Sequence, residues 1–304
     1  MNITNTPIQT PTEEQIAWLL STYHYHPSEG VAIFACAAFG LLTLLIAALT
    51  LKYKGYYMWI VVGASLLESV GYGIRIATLH STQLRLYIVS VLLLVVMPIA
   101  LVFVNYFVMG RILKKYGRKL MIINPDSIAR TWLISDVATF LLQGAATVLL
   151  TSNNAQKIKT GRRIIITGFV VQLIFFAAFL YITLHAAVVS PRFKLFRVKS
   201  LRMIFIGLWT TTICFFIRNI YRATDFISAT TSYVPTHEWL FYVFDFAPIA
   251  LSIIFYSIFH FGRFLDGPWV EELKAHKREI VGGDEDGDLE LEDKVIPPVP
   301  VSAV

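Results

Sequence analysis

The chain has 304 residues, of which 56% are hydrophobic and 15% charged, with a mean hydropathy of +0.63 and a formal net charge of +6. Soluble domains carry about 25% charged residues, so the composition excludes an ordinary water-soluble globule and points to an all-α, polytopic membrane protein. The two cysteines, Cys36 and Cys214, lie in apolar runs and exclude a disulfide scaffold. The basic residues cluster at the ends of apolar runs, the pattern of membrane topology, and so exclude nucleic acid as a partner.

In chain order, residues 1–29 read as a polar extracellular tail with no lysine or arginine, since the first basic residue is Lys52. Without a positive n-region the tail does not read as a signal peptide. Asn2-Ile3-Thr4 is a glycosylation sequon within it. A membrane domain follows over 30–265. A span needs about 20 apolar residues, and seven segments qualify: 30–51, 56–77, 87–112, 130–151, 163–188, 202–222 and 238–262. A polar tail, 266–304, ends the chain. Seven acids fall between Gly282 and Asp293, followed by Pro297, Pro298 and Pro300, a composition that reads as disordered and cytoplasmic.

Basic residues orient the bundle. With the N-terminus outside, the inner segments 52–55, 111–130, 192–202 and 263–304 hold 18 Lys and Arg against 6 outside. The positive-inside rule then places the N-terminus outside and the C-terminus in the cytoplasm. Lys157, Lys159, Arg162 and Arg163 dissent from this orientation and are outvoted.

Ionisable groups inside spans cost about 2.5–3.5 kcal/mol each on insertion scales and turn toward the bundle interior. Here they form stripes at i, i+3, i+4, i+7 spacing. The second span carries Glu68, Gly71, Tyr72 and Arg75; the fourth Asp136, Thr139, Phe140 and Gln143. The sixth carries Arg218, Tyr221, Arg222 and Asp225; the seventh Glu238, Phe241, Tyr242 and Asp245. Four such stripes predict a polar cavity open toward the outer leaflet, with Glu68, Tyr72, Arg75, Asp136, Gln143, Arg218, Arg222, Asp225, Glu238, Tyr242 and Asp245 as candidate substrate-binding residues. The alternative stays open that these charges pair with one another and lock the bundle. Pro98 and Pro248 fall inside spans and predict bends. Asn105 and Tyr106 read as interhelical hydrogen-bonding residues, Gly144 and Gly168 as close-packing positions, and Gln172 and His185 as isolated polar groups.

No enzyme motif is present. There is no G-x-x-x-x-G-K-[ST], no G-x-S-x-G, no H-E-x-x-H and no H-x-x-x-H, so neither a P-loop, a hydrolase elbow nor a zinc site is expected, and no cofactor or metal. The last span has no lysine to carry a retinal Schiff base. The seven-span topology matches that of G-protein-coupled receptors, yet span three ends Val108-Met109-Gly110-Arg111 without D-R-Y and span seven reads Phe246-Ala247-Pro248 without N-P-x-x-Y.

Blocks of residues along 30–265 nevertheless form a known order. They are Phe39-Gly40-Leu41-Leu42-Thr43; Leu67-Glu68-Ser69-Val70-Gly71-Tyr72 with Arg75; Gly110-Arg111-Ile112; Ser135-Asp136 with Phe140-Leu141-Leu142-Gln143-Gly144; and Gly168 with Gln172. Arg218-Asn219-Ile220-Tyr221-Arg222 follows, then His237-Glu238-Trp239 with Tyr242-Val243-Phe244-Asp245, and His260 with Gly262-Arg263. In these blocks the chain resembles the fungal lipid-translocating exporter family, the RTA-like proteins associated with resistance to 7-aminocholesterol and with sphingoid long-chain bases. It departs from the family at Asp225, often Glu there, at Met97-Pro98, where Ala-Pro is usual, and in the Gly-Ala-Ala after Gln143. The resemblance implies a multi-pass protein of the plasma membrane that translocates amphipathic lipids and confers lipid-stress or drug resistance. Its partners would be membrane lipids and the lipid substrate. A lipid sensor signalling through cytoplasmic loops is the alternative reading.

Overall fold

The computed structural model describes residues 13–81, 83–116, 125–150, 154–189, 199–228 and 232–265. Asn2, the last part of the basic segment 111–130 before Pro125, and the acidic tail 266–304 lie outside the described residues. Everything described is helix and short connection. The elements are α1 (Glu13–Tyr23), α2 (Glu29–Tyr53), a 3-10 turn (Tyr56–Met58), α3 (Trp59–His80), α4 (Leu84–Tyr116), α5 (Pro125–Leu150) and α6 (Ala155–Leu184), which runs on into a π turn (His185–Val189). Then come α7 (Lys199–Ile227), α8 (Tyr233–Thr236), α9 (Glu238–Phe241), a π turn (Tyr242–Phe246), α10 (Ala247–Ile258) and α11 (Phe261–Leu265).

Six of these rods are long and apolar enough to cross a membrane: Glu29–Tyr53, Tyr56–His80, Leu84–Lys114, Ala155–Ala187, Leu201–Ile227 and Glu238–Arg263. They coincide with six of the seven expected spans. The remaining expected span, the fourth (130–151), falls on the 26-residue helix α5, which is not among the six by that measure. Arg130, Asp136 and Gln143 dilute its apolar run.

Local chemistry explains how the rods begin and end. α2 opens after Ser28 in extended conformation, with Glu29 in its first turn where an acid complements the helix dipole. It closes at Lys54, whose φ of 54° is left-handed. Gly55 follows because its backbone meets that of Gly262: a Cβ at Gly55 would lie 3.0 Å from the Gly262 Cα. Asn154 caps α6 by accepting from the Gln156 N–H. Arg162, one of the dissenting basic residues, donates to the carbonyl of Ile227 at the end of α7, where helix C-termini favour cations.

The last rod departs from regular α-helix immediately before Pro248, where a bend is expected. Proline lacks an N–H and its ring crowds the carbonyl four residues back. The π turn Tyr242–Phe246 immediately before α10 absorbs that mismatch. Pro98 instead sits within the continuous 33-residue helix α4.

The helices pack around a core that includes Phe39, Tyr72, Tyr106, Phe176, Phe179, Phe205, Phe215 and Tyr256. Polar cross-links stitch it. Asn105 donates to Thr211 and Thr212 of α7, while Tyr256 donates to Asn105 Oδ1 and to the Leu101 carbonyl. These bonds confirm the structural reading of Asn105. Ser90 reaches the Gly71 carbonyl, and a Cβ on Gly71 would lie 3.0 Å from Leu94, so α3 and α4 approach closely there.

Of the expected polar tail, 1–29, the described part is structured. Residues 13–23 are helical, and the segment that follows docks on the bundle. Tyr23 shares a 2.7 Å hydrogen bond with Thr78 of α3, and the Ser28 N–H donates to Glu238 at 2.8 Å. Acidic residues after Pro11-Thr12, Glu13 and Glu14, are the sequence signal that marks the start of this helix.

Candidate functional site

Two regions of polar side chains stand inside the bundle. The first is a packed ion-pair cluster between α3, α7 and the π turn of the last rod. The π turn presents Asp245 to α7, where Arg222 grips it with two hydrogen bonds, 2.7 and 2.8 Å. Arg218, one helical turn away, approaches the same carboxylate at 3.0 Å. Arg218 also donates to the Leu94 carbonyl of α4 at 2.9 Å. One acid therefore holds two arginines, all three almost fully buried. Bidentate geometry of this kind both strengthens and orients the pair.

Glu68 sits beside this cluster with no exposed surface, in the field of Arg218, Asp245 and Arg222. Neither of its carboxyl oxygens has a hydrogen-bond partner among the described residues. Tyr72 lies against Phe39, with ring centroids 5.6 Å apart, and near Tyr242 at 6.4 Å.

Toward the α1 end, Arg75 forms a second knot. Its guanidinium lies over Tyr23 at 4.7 Å and Phe241 at 4.9 Å, donates to the Tyr25 hydroxyl at 2.7 Å, and stands 3.6 Å from Glu238. Burial raises the pKa of the Tyr25 phenol, which keeps it neutral. Asp225 is half-buried near the end of α7, in the field of Arg222 and His24.

The second region is a cavity of about 420 Å³ between α4, α5, α6 and α7. Its size falls within the usual range of ligand sites, roughly 300–1,000 Å³. Most of the wall is apolar, from Val91 and Val95 of α4 to Phe169 and Phe176 of α6. Polar groups enter at few points: Asp136 and Gln143 from α5, Gln172 from α6, and Arg218, Asn219 and Arg222 from α7. Ile88 and Leu92 on the α4 wall are about half exposed, so the cavity is not sealed on that side.

Tyr106 of α4 donates a 2.9 Å hydrogen bond to Asp136 Oδ2, and Phe179 packs edge-on against the Tyr106 ring at 4.9 Å. Asp136 Oδ1 is buried and has no partner among the described residues. Gln143 lies against Gly168, where a Cβ would come within 2.8 Å of its Nε2; the glycine lets α5 and α6 close.

The eleven expected site residues thus separate. Asp136, Gln143, Arg218 and Arg222 line the cavity; Glu68, Tyr72, Arg75, Asp225, Glu238, Tyr242 and Asp245 do not. The stripes of α3, α7 and the last rod meet one another, whereas that of α5 faces the cavity. Arg218 and Arg222 belong to both regions. Sequence reasoning passed over the apolar α4 wall and Tyr87, and the only signal for that wall was Pro98, which lines it. It treated Gln172 as isolated, whereas the bond from Tyr106 to Asp136 of α5 is the interhelical hydrogen bond expected of that residue. No group of three or more His, Cys, Asp or Glu side chains is arranged to hold a metal among the described residues.

The profile of the family described as RTA1 like protein matches residues 60–268, which includes both regions. The chain belongs to this family. Among relatives, it is 28% identical over 276 residues to Protoporphyrin uptake protein 1 of Saccharomyces cerevisiae, across 78% of this chain and 90% of that one. It is 23% identical over 300 residues to Lipid-translocating exporter-like protein RTA1 of Leptosphaeria maculans, across 89% of this chain and 57% of the other. It is 19% identical over 238 residues to the Sphingoid long-chain base transporter RSB1 of Saccharomyces cerevisiae, across 65% and 62% of the two chains. RTA1-like relatives are thus named as transporters or exporters of lipids, or for uptake of a porphyrin. No solved structure matches the chain.

Proposed function

We propose that this RTA1-like protein translocates amphipathic, single-chain lipids of the sphingoid-base type, and that the α4–α7 cavity is where they bind. The observation that carries this reading is the composition of the cavity: an apolar wall long enough for an acyl chain, interrupted by a few buried polar groups. Tyr87 and Val102 mark its extent along α4, fifteen residues or roughly 22 Å apart at 1.5 Å per residue. Such a site accepts a chain along its wall and a head group at its polar points. The exposed Ile88 and Leu92 provide a lateral entrance from the membrane.

In this reading α5 also crosses the membrane, as the fourth of seven spans, the N-terminus and α1 face outward, and the C-terminal tail is cytoplasmic in the plasma membrane. The ion-pair cluster is the frame against which the cavity is held, with Arg218 linking the two. Export of such lipids accounts for resistance to lipid or drug stress. With no nucleotide-binding motif in the sequence, movement is downhill or ion-coupled.

The test is flux in liposomes containing purified protein, with a fluorescent long-chain base, a phospholipid control and empty vesicles. Movement of the base well above empty vesicles supports the proposal. Folded protein that moves nothing overturns it, and saturable binding without flux in that case favours a sensor.

A further inference from the structure

Asp136 stands apart from every other acid in the bundle. It is 2% exposed and is the only carboxylate among the described residues that lines the cavity. Its two oxygens are treated differently. Tyr106 holds Oδ2 at 2.9 Å, and Oδ1 has no donor. Tyr106 itself has no exposed surface and is braced by Phe179, so the carboxyl group is fixed in orientation.

The acids of the neighbouring cluster differ in this respect. Asp245 has two arginines, and Glu238 has Arg75 and the Ser28 N–H. Glu68 lacks hydrogen bonds but does not reach the cavity. The nearest cations on the cavity wall are already engaged, Arg218 by Asp245 and the Leu94 carbonyl, Arg222 by Asp245. Asp136 forms no ion pair among the described residues. A buried carboxyl oxygen without a donor carries the full cost of its lost hydration. A ligand that supplies N–H donors and positive charge at that atom removes the cost.

The surroundings narrow the ligand further. Trp132 donates to the Phe175 carbonyl, and Gln143 packs on Gly168, so these two α5–α6 contacts bracket Asp136 in register. Gln172 of α6 falls within that bracket and also lines the cavity. It offers an amide beside the acid, suited to a hydroxyl next to an amine. The wall away from Asp136 is phenylalanine and valine, suited to a hydrocarbon chain.

We infer that Asp136 is the head-group receptor of the cavity and selects single-chain amphiphiles that carry a protonated amine, with Tyr106 as its positioning residue. This rests on the transport reading above and adds to it the residue that reads the head group and the tyrosine that positions it. It also separates the work of the acids: Asp245, with two arginines, braces the bundle, and Asp136, with its single tyrosine partner, meets the substrate.

The experiment is displacement of a neutral fluorescent long-chain alcohol from the purified full-length protein in nanodiscs. The competitors are dodecylamine, dodecanol and laurate, which share a chain and differ in head-group charge. In the wild type, dodecylamine should compete at least tenfold better than dodecanol, and laurate worst. Asp136→Asn should erase the amine preference while dodecanol competes as before. Asp136→Glu should retain part of it, and Tyr106→Phe should reduce it.

Equal competition by amine and alcohol in the wild type overturns the inference and leaves the transport reading intact, and that comparison needs no variant to fold. Persistence of the amine preference in monodisperse Asp136→Asn protein overturns it equally. If no competitor displaces the probe and liposome flux is also absent, the transport reading fails and this inference falls with it.

Discussion

The ion-pair cluster and the cavity are built from the same kinds of residue and share two arginines, yet they do opposite things with polarity. In the cluster, Asp245 gathers Arg218 and Arg222 within 3.0 Å, and Tyr72 of the same region packs against the rings of Phe39 and Phe246. Asp245 and the two arginines are used by one another, while Glu68 beside them has no hydrogen-bond partner among the described residues. In the cavity, polar groups are spaced along an apolar wall, and Asp136 keeps an oxygen in reserve. Intramembrane charge marks both regions equally. What distinguishes Asp136 from Asp245 is that Asp245 finds its cations within the protein, whereas Asp136 lines a cavity with one oxygen unpartnered among the described residues.

The largest effect that would break this contrast is on the cluster. Asp245→Ala leaves two buried guanidiniums without their shared acid, and we expect a loss of roughly 3–5 kcal/mol, the range for breaking one side of a buried pair. Thermal unfolding in detergent measures it; a variant as stable as the wild type would mean the arginines have another partner and the cluster is no brace.

Next in size is the α1 anchor. Tyr25→Phe removes the acceptor of the Arg75 hydrogen bond, worth about 1.5–3 kcal/mol for a bond to a charged group. Hydrogen exchange across residues 13–28 should speed up by that amount while α3 and α4 stay protected. Unchanged exchange would show that Tyr23 and Ser28 suffice to hold the segment.

A change in the cavity should spare stability and alter transport. Gly144 lines the cavity, and a Cβ there meets nothing within 4 Å. Gly144→Leu should therefore fill the cavity, lower lipid flux about tenfold, equivalent to ~1.4 kcal/mol, and leave the melting temperature within a few degrees. Full flux in this variant would place the translocation path elsewhere.

The smallest expected effect is the one that sharpens the comparison most. Glu68→Gln keeps shape and volume in a position outside the cavity, so fold and flux should both stay within about threefold of wild type, on the order of 0.6 kcal/mol. A large loss of flux from well-folded protein would bring the cluster into the transport cycle and erase the distinction drawn between the two regions.

Much of this was legible in advance. The apolar runs marked the rods because a bilayer-crossing helix needs a length that composition alone reveals. Helical spacing put Arg218 and Arg222 on the face that meets Asp245, and Pro248 marked the stretch where the π turn interrupts the last rod. Less was legible about which acids face which. Asp136 and Glu68 look alike in the sequence, each one acid on a polar stripe, and only their neighbours separate them. The docking of residues 13–28 was also hidden, because its anchors, Tyr23, Tyr25 and Ser28, find partners between 50 and 210 positions away.

The sequence by itself determined the class of this protein: an all-helical membrane chain, its rods, its inward-facing polar stripes and its RTA1-like family. Those properties are local or periodic, set by runs of side chains against a fixed bilayer thickness and a helical repeat of 3.6 residues. The tertiary structure decided where space remains. A cavity exists only where side chains from four helices fail to fill the volume between them, and a carboxylate is left for a ligand only when no neighbour claims it. Both depend on packing among residues far apart in the chain, which no spacing rule carries.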